Sequence, residues 1–294
     1  MASLRLGLAV CVVALGCATD SPSSRSRLVG KAQASDFHVI AHRGGAAHAP
    51  ENTLPAFRLS LAHGFTEVEL DVRLSLDEVL VLYHDHTLER KTGHEGSVAV
   101  YTAAELTRFD LGSWFDREHP EITRSFADTP ITTLSDLFSE FGTRLYYHLE
   151  IKGDDPRVPG LLLQAIEVAG LAGRVTVTSF SFGQLTRFRS LAADIPVCWL
   201  LERNRDLAES AGREADLLAR QRAQIDAARR SGFSQVAVPA LEISAPIVAF
   251  AHANEIGIRA WGVESIEDEQ RVIESGSDGA TTDWPERLRA RLPK

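Results

Sequence analysis

Cysteine is scarce in this chain of 294 residues, with three in all. Cys11 and Cys17 stand near the N-terminus, and only Cys198 lies in the body. One body cysteine forms no internal disulfide. Within Ile195-Pro196-Val197-Cys198-Trp199-Leu200 it reads as a small buried hydrophobe. No CxxC or Cys/His spacing is present, which excludes the usual structural zinc sites. Positive charge is short as well: 31 Lys and Arg stand against 40 Asp and Glu, for a formal net charge of −9. A polyanion wants a basic face, so this balance argues against nucleic acid as a partner. A small phosphate ligand stays possible, because it needs only a local cation or a metal. No apolar run is long enough to span a bilayer.

The N-terminal apolar run has a different use. Arg5 precedes the uncharged stretch Leu6 to Gly16, which fits the core of a secretory signal. The stretch ends in Ala14-Leu15-Gly16-Cys17, which resembles a bacterial lipobox whose cysteine becomes the lipidated first residue. Alanine stands where leucine is usual, three places before the cysteine. We expect residues 1–17 to be a signal peptide of the lipoprotein type, with cleavage as an ordinary secretory signal as the alternative. Residues 18–35, including Ser21-Pro22-Ser23-Ser24-Arg25-Ser26, then form a flexible tether. Residues 36–294 form the folded domain. The expected location is the periplasm or cell envelope of a bacterium, with a lipid at Cys17 as the only membrane attachment. The sequence carries no signal for an oligomeric state.

From residue 36 onward short apolar strands alternate with helical patterns. Strands are expected at Phe37–Ala41, Glu67–Val72, Leu145–Ile151, Val175–Ser179, Val197–Leu201, Gln235–Val238, Arg259–Val263 and Gly279–Thr282. Helices are expected at Thr53–His63, Pro159–Ala169, Phe182–Leu191, Ala245–Asn254, Ile266–Glu274 and Pro285–Leu292. Asn52 and Ser265 read as their caps, and Pro285 suits a first turn. A longer helical stretch, Arg205–Arg230, is expected to cover the outside of the fold. Val79–Tyr83 follows the second strand too closely for a parallel crossover, so the two must form an antiparallel hairpin. Eight β/α strands remain, the number that closes a TIM (β/α)8 barrel. The segment from about 87 to 133 carries Phe109, Trp114, Phe115 and Phe126, and reads as a small inserted subdomain.

A TIM barrel places its active site at the C-terminal ends of its strands. There stand His42 and Arg43 on the first strand, Glu69 and Asp71 on the second, and His84-Asp85-His86 after the hairpin. Glu150 and Lys152 follow on the third parallel strand, and Asp283 ends the last. Glu69 and Asp71 are two apart on a strand and point to one face, as do Glu150 and Lys152. Three carboxylates converging in a barrel need compensation. A hard divalent cation, Ca²⁺ or Mg²⁺, would provide it. So would a buried ionic network with Lys152, Arg43 and Arg73. His42 and His84 are proton-transfer candidates, and Arg43 and Lys152 suit a phosphoryl group. His84 and His86 also have the HxH spacing of amidohydrolase zinc sites, but that pair normally ends the first barrel strand.

The stretches AHRGGAAHAPENTLPAF, EVELDVRLSLDEVLVLYHD, LEIK and TTDWPERL, with LTRFDLGSWFD and PITTLSDLF in the insert, together resemble the glycerophosphodiester phosphodiesterase family. The resemblance runs from about residue 36 to 290. It implies that Glu69, Asp71 and Glu150 hold a divalent metal, Ca²⁺ or Mg²⁺, and that His42 and His84 are catalytic. It further implies that Arg43 and Lys152 contact the substrate phosphate, while Glu51 supports the site. Trp261 is expected as a pocket wall or as simple barrel packing. The implied reaction is hydrolysis of a glycerophosphodiester to glycerol 3-phosphate and an alcohol through a cyclic phosphate. Two departures stand out. Ser75-Leu76-Asp77-Glu78 replaces a hairpin turn that normally contains glycine, which should change the turn geometry, and Glu264 follows Trp261-Gly262-Val263 where asparagine is common. Phospholipase-D-like or phospholipase-C-like action on lysophospholipids or phosphoinositides is the competing enzymatic reading. A non-enzymatic binding lipoprotein is the third.

Overall fold

The computed structural model describes residues 37–204 and 213–293. The leader, the tether and Cys17 lie outside the described residues. The strands are β1 His38–Ala41, β2 Glu67–Leu74, β3 Leu80–Leu82, β4 Tyr146–Ile151, β5 Val175–Ser179, β6 Val197–Leu200, β7 Gln235–Pro239, β8 Gly257–Val263 and β9 Gly279–Thr282. All but β3 are parallel, and they run β1-β9-β8-β7-β6-β5-β4-β2, with β1 pairing β2 to close the barrel. Helices Leu54–Ala62, Leu134–Phe141, Val158–Val168, Phe182–Leu191, Arg213–Arg230, Ala245–Ala253, Ile266–Ser275 and Pro285–Arg291 surround it. This is the expected TIM barrel.

The strand alternation explains both the core and the site. Val68, Leu70 and Val72 of β2 point outward into one large apolar cluster with Leu149, Ile151, Val177 and Phe188. The alternate residues, Glu69 and Asp71, point into the barrel. Burial of the outward face fixes the register, since a slip of one residue would drive the carboxylates into that cluster. Asp71 then pairs in register with Glu150, and Glu69 with His148.

β1 is short, and its pairing with β2 is Ala41 opposite Val68. Beyond that point β3 pairs antiparallel along β2, with Val72 opposite Leu82 and Leu74 opposite Leu80. In the hairpin turn Glu78 adopts the left-handed conformation, φ 62°, that a glycine would hold without cost. The turn is secured by Ser75 Oγ donating to Asp77 Oδ1 at 2.7 Å and accepting from Val79 N at 2.9 Å.

The insert is ordered by two small cores. Leu88, Val98, Leu106, Leu111 and Ile131 pack on Val81 and Tyr83. Trp114, Phe115 and Phe126 pack on Ala49 and Ala56, and so press the insert against the loop after β1. The long helix is described over Arg213–Arg230, the start of the expected stretch lying outside the described residues, and Ile225 and Ala228 are buried against the barrel. Ser265 caps its helix through a reciprocal box with Asp268, and Pro285 opens the last helix. Asn52 does not act as a cap. Thr53 holds that position, and Asn52 is turned away to the site.

Candidate active site

Where β1 ends, Arg43, Gly44 and Gly45 all have positive φ, 49°, 85° and 90°. The run turns the chain back under itself, and a Cβ on Gly44 would lie 3.0 Å from Ala56 and Phe57. The tight turn aims the Arg43 amide at Glu69 Oε2, 3.1 Å away. It also brings the His42 ring over the barrel mouth. His42 Nδ1 bonds Asp283 Oδ1 at 2.7 Å, and Nε2 lies 3.8 Å from Glu69 Oε2. The Asp283 acceptor fixes a tautomer with the proton on Nδ1 and leaves Nε2 facing the carboxylates.

Glu69, Asp71 and Glu150 are all buried, and each offers an oxygen within 4.8 Å of the others. Lys152 Nζ stands 2.6 Å from Glu150 Oε1 and 3.1 Å from Asp71 Oδ1. The second contact is a charge contact without hydrogen-bond geometry, as is Arg43 Nε at 3.4 Å from Asp71 Oδ2. Asn52 grips Asp71 from the other side: its Nδ2 donates to Oδ2 at 2.8 Å, and its Oδ1 accepts the Asp71 amide at 3.1 Å. Arg73, expected in a possible ionic network, instead donates to the main-chain oxygens of Tyr83 and His84, at 3.1 and 2.6 Å. It holds the end of the hairpin.

This cluster is short of positive charge. Burial raises the pKa of Asp71, but Lys152 and Arg43 outweigh it and hold the carboxyl well below the usual range. Burial together with Asp71 raises Glu69, and burial pushes Glu150 up to about 7 despite Lys152 beside it. Glu69 Oε1 is buried with no hydrogen-bond partner among the described residues. An all-oxygen, under-compensated donor set of this kind fits a hard divalent cation.

His84 arrives from the end of β3. Its Nδ1 bonds Asp85 Oδ1 at 2.9 Å, leaving Nε2 free among the described residues. Burial lowers its pKa, against the opposing pull of Asp85 and Asp71. For His42, burial and Arg43 work against the proton, but Asp283 and Glu69 prevail and raise it. Glu51 is buried and accepts Arg43 Nη1 at 2.8 Å. Trp261 stands edge-on to Phe180, with ring centroids 5.2 Å apart, and its Nε1 donates to Leu201 O at 3.1 Å. Lys152 Nζ lies 5.9 Å from the Phe180 ring, so Trp261 and Phe180 form a wall running to the cluster. His86 and Glu264 are exposed, and His86 belongs to neither group of candidate metal donors.

The chain matches the model of the glycerophosphoryl diester phosphodiesterase family over residues 42–287. It belongs to that family. A glycerophosphodiester phosphodiesterase of Caldanaerobacter subterraneus is 31% identical over 254 residues, covering 85% of this chain and 95% of the relative. A Silicibacter pomeroyi structure provisionally assigned to the same activity superposes with a TM-score of 0.78 at 25% identity, covering 92% of this chain and 97% of the other. An Oleispira antarctica phosphodiesterase solved with its product sn-glycerol-3-phosphate has a TM-score of 0.70 at 23% identity, over 91% of this chain and 98% of that one.

The chain is thus a glycerophosphodiester phosphodiesterase, and its barrel mouth gathers the residues singled out from sequence. Arg43, Glu51, Asp71, Glu150 and Lys152 share one ion-paired cluster, Glu69 joins it through the Arg43 amide with His42 beside it, and His84 stands at its edge. Sequence reading missed three contributors. Asn52 passed for a helix cap, although its placement directly after Glu51 in the turn was a signal. Asp283 was placed at a strand end without its partner His42. Asp85 was noted only as part of HxH.

Proposed function

We propose that the phosphodiesterase works by histidine acid/base catalysis with a divalent cation held by Glu69, Asp71 and Glu150. The observation that carries this is the pair of His–Asp couples, His42–Asp283 and His84–Asp85, beside the carboxylate cluster. Bound there, Ca²⁺ or Mg²⁺ would lower the pKa of a substrate hydroxyl and offset phosphoryl charge. Arg43 and Lys152 add fixed positive charge where a phosphate would lie.

His42 is the base. Its Nε2 faces the cluster, and Asp283 strengthens its affinity for a proton. It takes the proton of the glycerol hydroxyl next to the phosphate as that oxygen attacks phosphorus. His84 is the acid and gives its proton to the departing alcohol oxygen as the phosphorus–oxygen bond breaks. The product is a cyclic phosphate. In the second half His84 takes a proton from water as the water oxygen attacks phosphorus. His42 returns its proton to the ring oxygen, releasing glycerol 3-phosphate. Trp261 and Phe180 supply a wall that limits substrate orientation.

Because one histidine must be neutral and the other charged, kcat/KM is expected to follow a bell in pH. With the base His42 held above its ordinary value and the acid His84 below it, the active form, neutral His42 with charged His84, is the minor one. In that reverse-protonated case the lower pKa, of His84, sets the acidic limb and the higher, of His42, the alkaline limb. Asparagine at Asp283 removes the charge that favours protonated His42. The alkaline limb should therefore move to lower pH while the acidic limb stays. Stopped assays from pH 5 to 9 test this, and an unmoved alkaline limb would exclude the coupling.

Product identity separates this reading from phospholipase-like action. Glycerophosphocholine should yield glycerol 3-phosphate, and intact lysophospholipid should not be cut before deacylation. Export with a lipid at Cys17 is proposed on the sequence of the leader, and mass spectrometry of the membrane-associated chain tests it.

A further inference from the structure

Beyond these residues the insert sends one buried cation toward the site. Lys91 lies on the short helix Glu89–Thr92, and its side chain is 0% exposed. Nζ donates to Glu51 Oε1 and, at 3.2 Å, to Asp85 Oδ1. The Trp114 and Tyr83 rings cover it, with centroids at 5.1 and 5.6 Å.

Each carboxylate it touches also holds a functional side chain. Glu51 accepts Lys91 on one oxygen and Arg43 on the other, the latter at 2.8 Å. Asp85 Oδ1 accepts both Lys91 and His84 Nδ1, while Arg90 holds Oδ2 at 3.0 Å. Without a cation between them, the buried Glu51 and the half-buried Asp85 would face each other as like charges. Repulsion would turn Asp85 from His84 and drag Glu51 with its bound arginine. Glu51, His84 and Asp85 also have donor atoms within 4.8 Å of one another, close enough to share one cation. The Lys91 ammonium supplies that charge from the protein itself.

We propose that Lys91 is a positioning residue, whose buried ammonium pins Glu51 and Asp85 so that Arg43 and His84 keep their orientation toward the substrate phosphate. The proposal gives the insert a function. Its aromatic core, built on Trp114, holds the ammonium in place, so the subdomain braces one side of the site. Lys91 touches no reacting atom and acts through the two carboxylates.

The test is Lys91→Met in the intact holoenzyme, which keeps the stem and removes the charge. It is measured on glycerophosphocholine and on a glycerophospho-p-nitrophenyl diester, whose leaving group needs no proton. The expected result is a fall in kcat/KM for alcohol release on both esters, through Arg43, that is at least threefold larger with the choline ester, through His84. Equal losses on both, or no loss, would overturn the proposal, because a merely structural defect does not sense the leaving group. If Lys91→Met does not fold, Asp85→Leu removes the shared acceptor of Lys91 and His84 while leaving Lys91 paired with Glu51. The same leaving-group split is expected of it, and its absence counts equally against the idea. The inference rests on the role given to His84, so His84→Ala is run alongside. Full turnover by that variant sinks the acid/base reading and this proposal with it. An inactive His84→Ala beside an unimpaired, folded Lys91→Met sinks the Lys91 role alone.

Discussion

Alanine at His42 or at His84 is expected to lower kcat/KM on glycerophosphocholine by at least a thousandfold and to leave the barrel folded. A positioned acid or base contributes about 10²–10⁴ in rate, and each histidine here serves in both halves of the reaction. The two substitutions should not be equivalent for other substrates. With a nitrophenyl ester, whose leaving group departs unaided, His84→Ala should lose much less than His42→Ala, because the attacking hydroxyl still has to be deprotonated. Folding should survive because the side chains are 30% and 34% exposed and neither belongs to the apolar core. Circular dichroism checks the fold and an assay of glycerol 3-phosphate release the turnover. Full activity in both variants would remove the proposed mechanism. Asp283→Asn should sit between these and the parent chain, since it leaves the imidazole in place and alters only its tautomer and proton affinity.

Much of this site was legible because strand periodicity is rigid. Once Val68, Leu70 and Val72 are read as the outward face, Glu69 and Asp71 have to share the interior. The same rule applied to Leu149 and Ile151 places Glu150 and Lys152 beside them. The hairpin was equally forced, since the few residues between Val72 and Val79 cannot carry a crossover. What stayed hidden were contacts set by tertiary geometry. Asn52 has the composition of a cap, but it takes a positive φ of 59° and turns its amide to Asp71, far along the chain. Arg73 lies on the same face as Asp71, yet its longer side chain reaches the carbonyls of the hairpin end instead of the carboxylates. His42 and Asp283 lie at opposite ends of the fold in sequence, and they meet only because β1 and β9 are neighbours at the closure of the barrel. Glu78 is a further case: at the place where a glycine is usual in the hairpin turn, the glutamate takes the left-handed φ of 62°.

Removal of the divalent cation is the second decisive experiment. Exhaustive chelation should abolish turnover, and Ca²⁺ or Mg²⁺ should restore it. Asp71→Asn should reduce kcat/KM by about a thousandfold or more under saturating metal. Two accounts of the carboxylates compete here. If Glu69, Asp71 and Glu150 existed only to balance Arg43 and Lys152, the cluster would be neutral enough without an ion. Chelation would then change nothing. The geometry argues otherwise. Two cations face three carboxylates at the cluster, the Arg43 guanidinium is shared with Glu51, and Glu69 keeps a buried oxygen without a hydrogen-bond partner. Burial and mutual repulsion hold Glu69 and Glu150 above their ordinary pKa values, so the cluster would readily bind an added positive charge. An ion that binds the folded chain alone must also stabilise it, by about 2.7 kcal/mol at a hundredfold excess over Kd. Thermal unfolding should therefore shift upward by several degrees on metal addition in the parent chain, and calorimetric titration should detect the binding directly. In Asp71→Asn both signals should weaken sharply, because the replaced carboxylate lies between the other two donors and is the one fixed on both sides, by Asn52 and by Lys152. Unchanged turnover after chelation, together with no thermal shift, would assign the carboxylates to an ion-pair network and leave the two histidines to work without a metal.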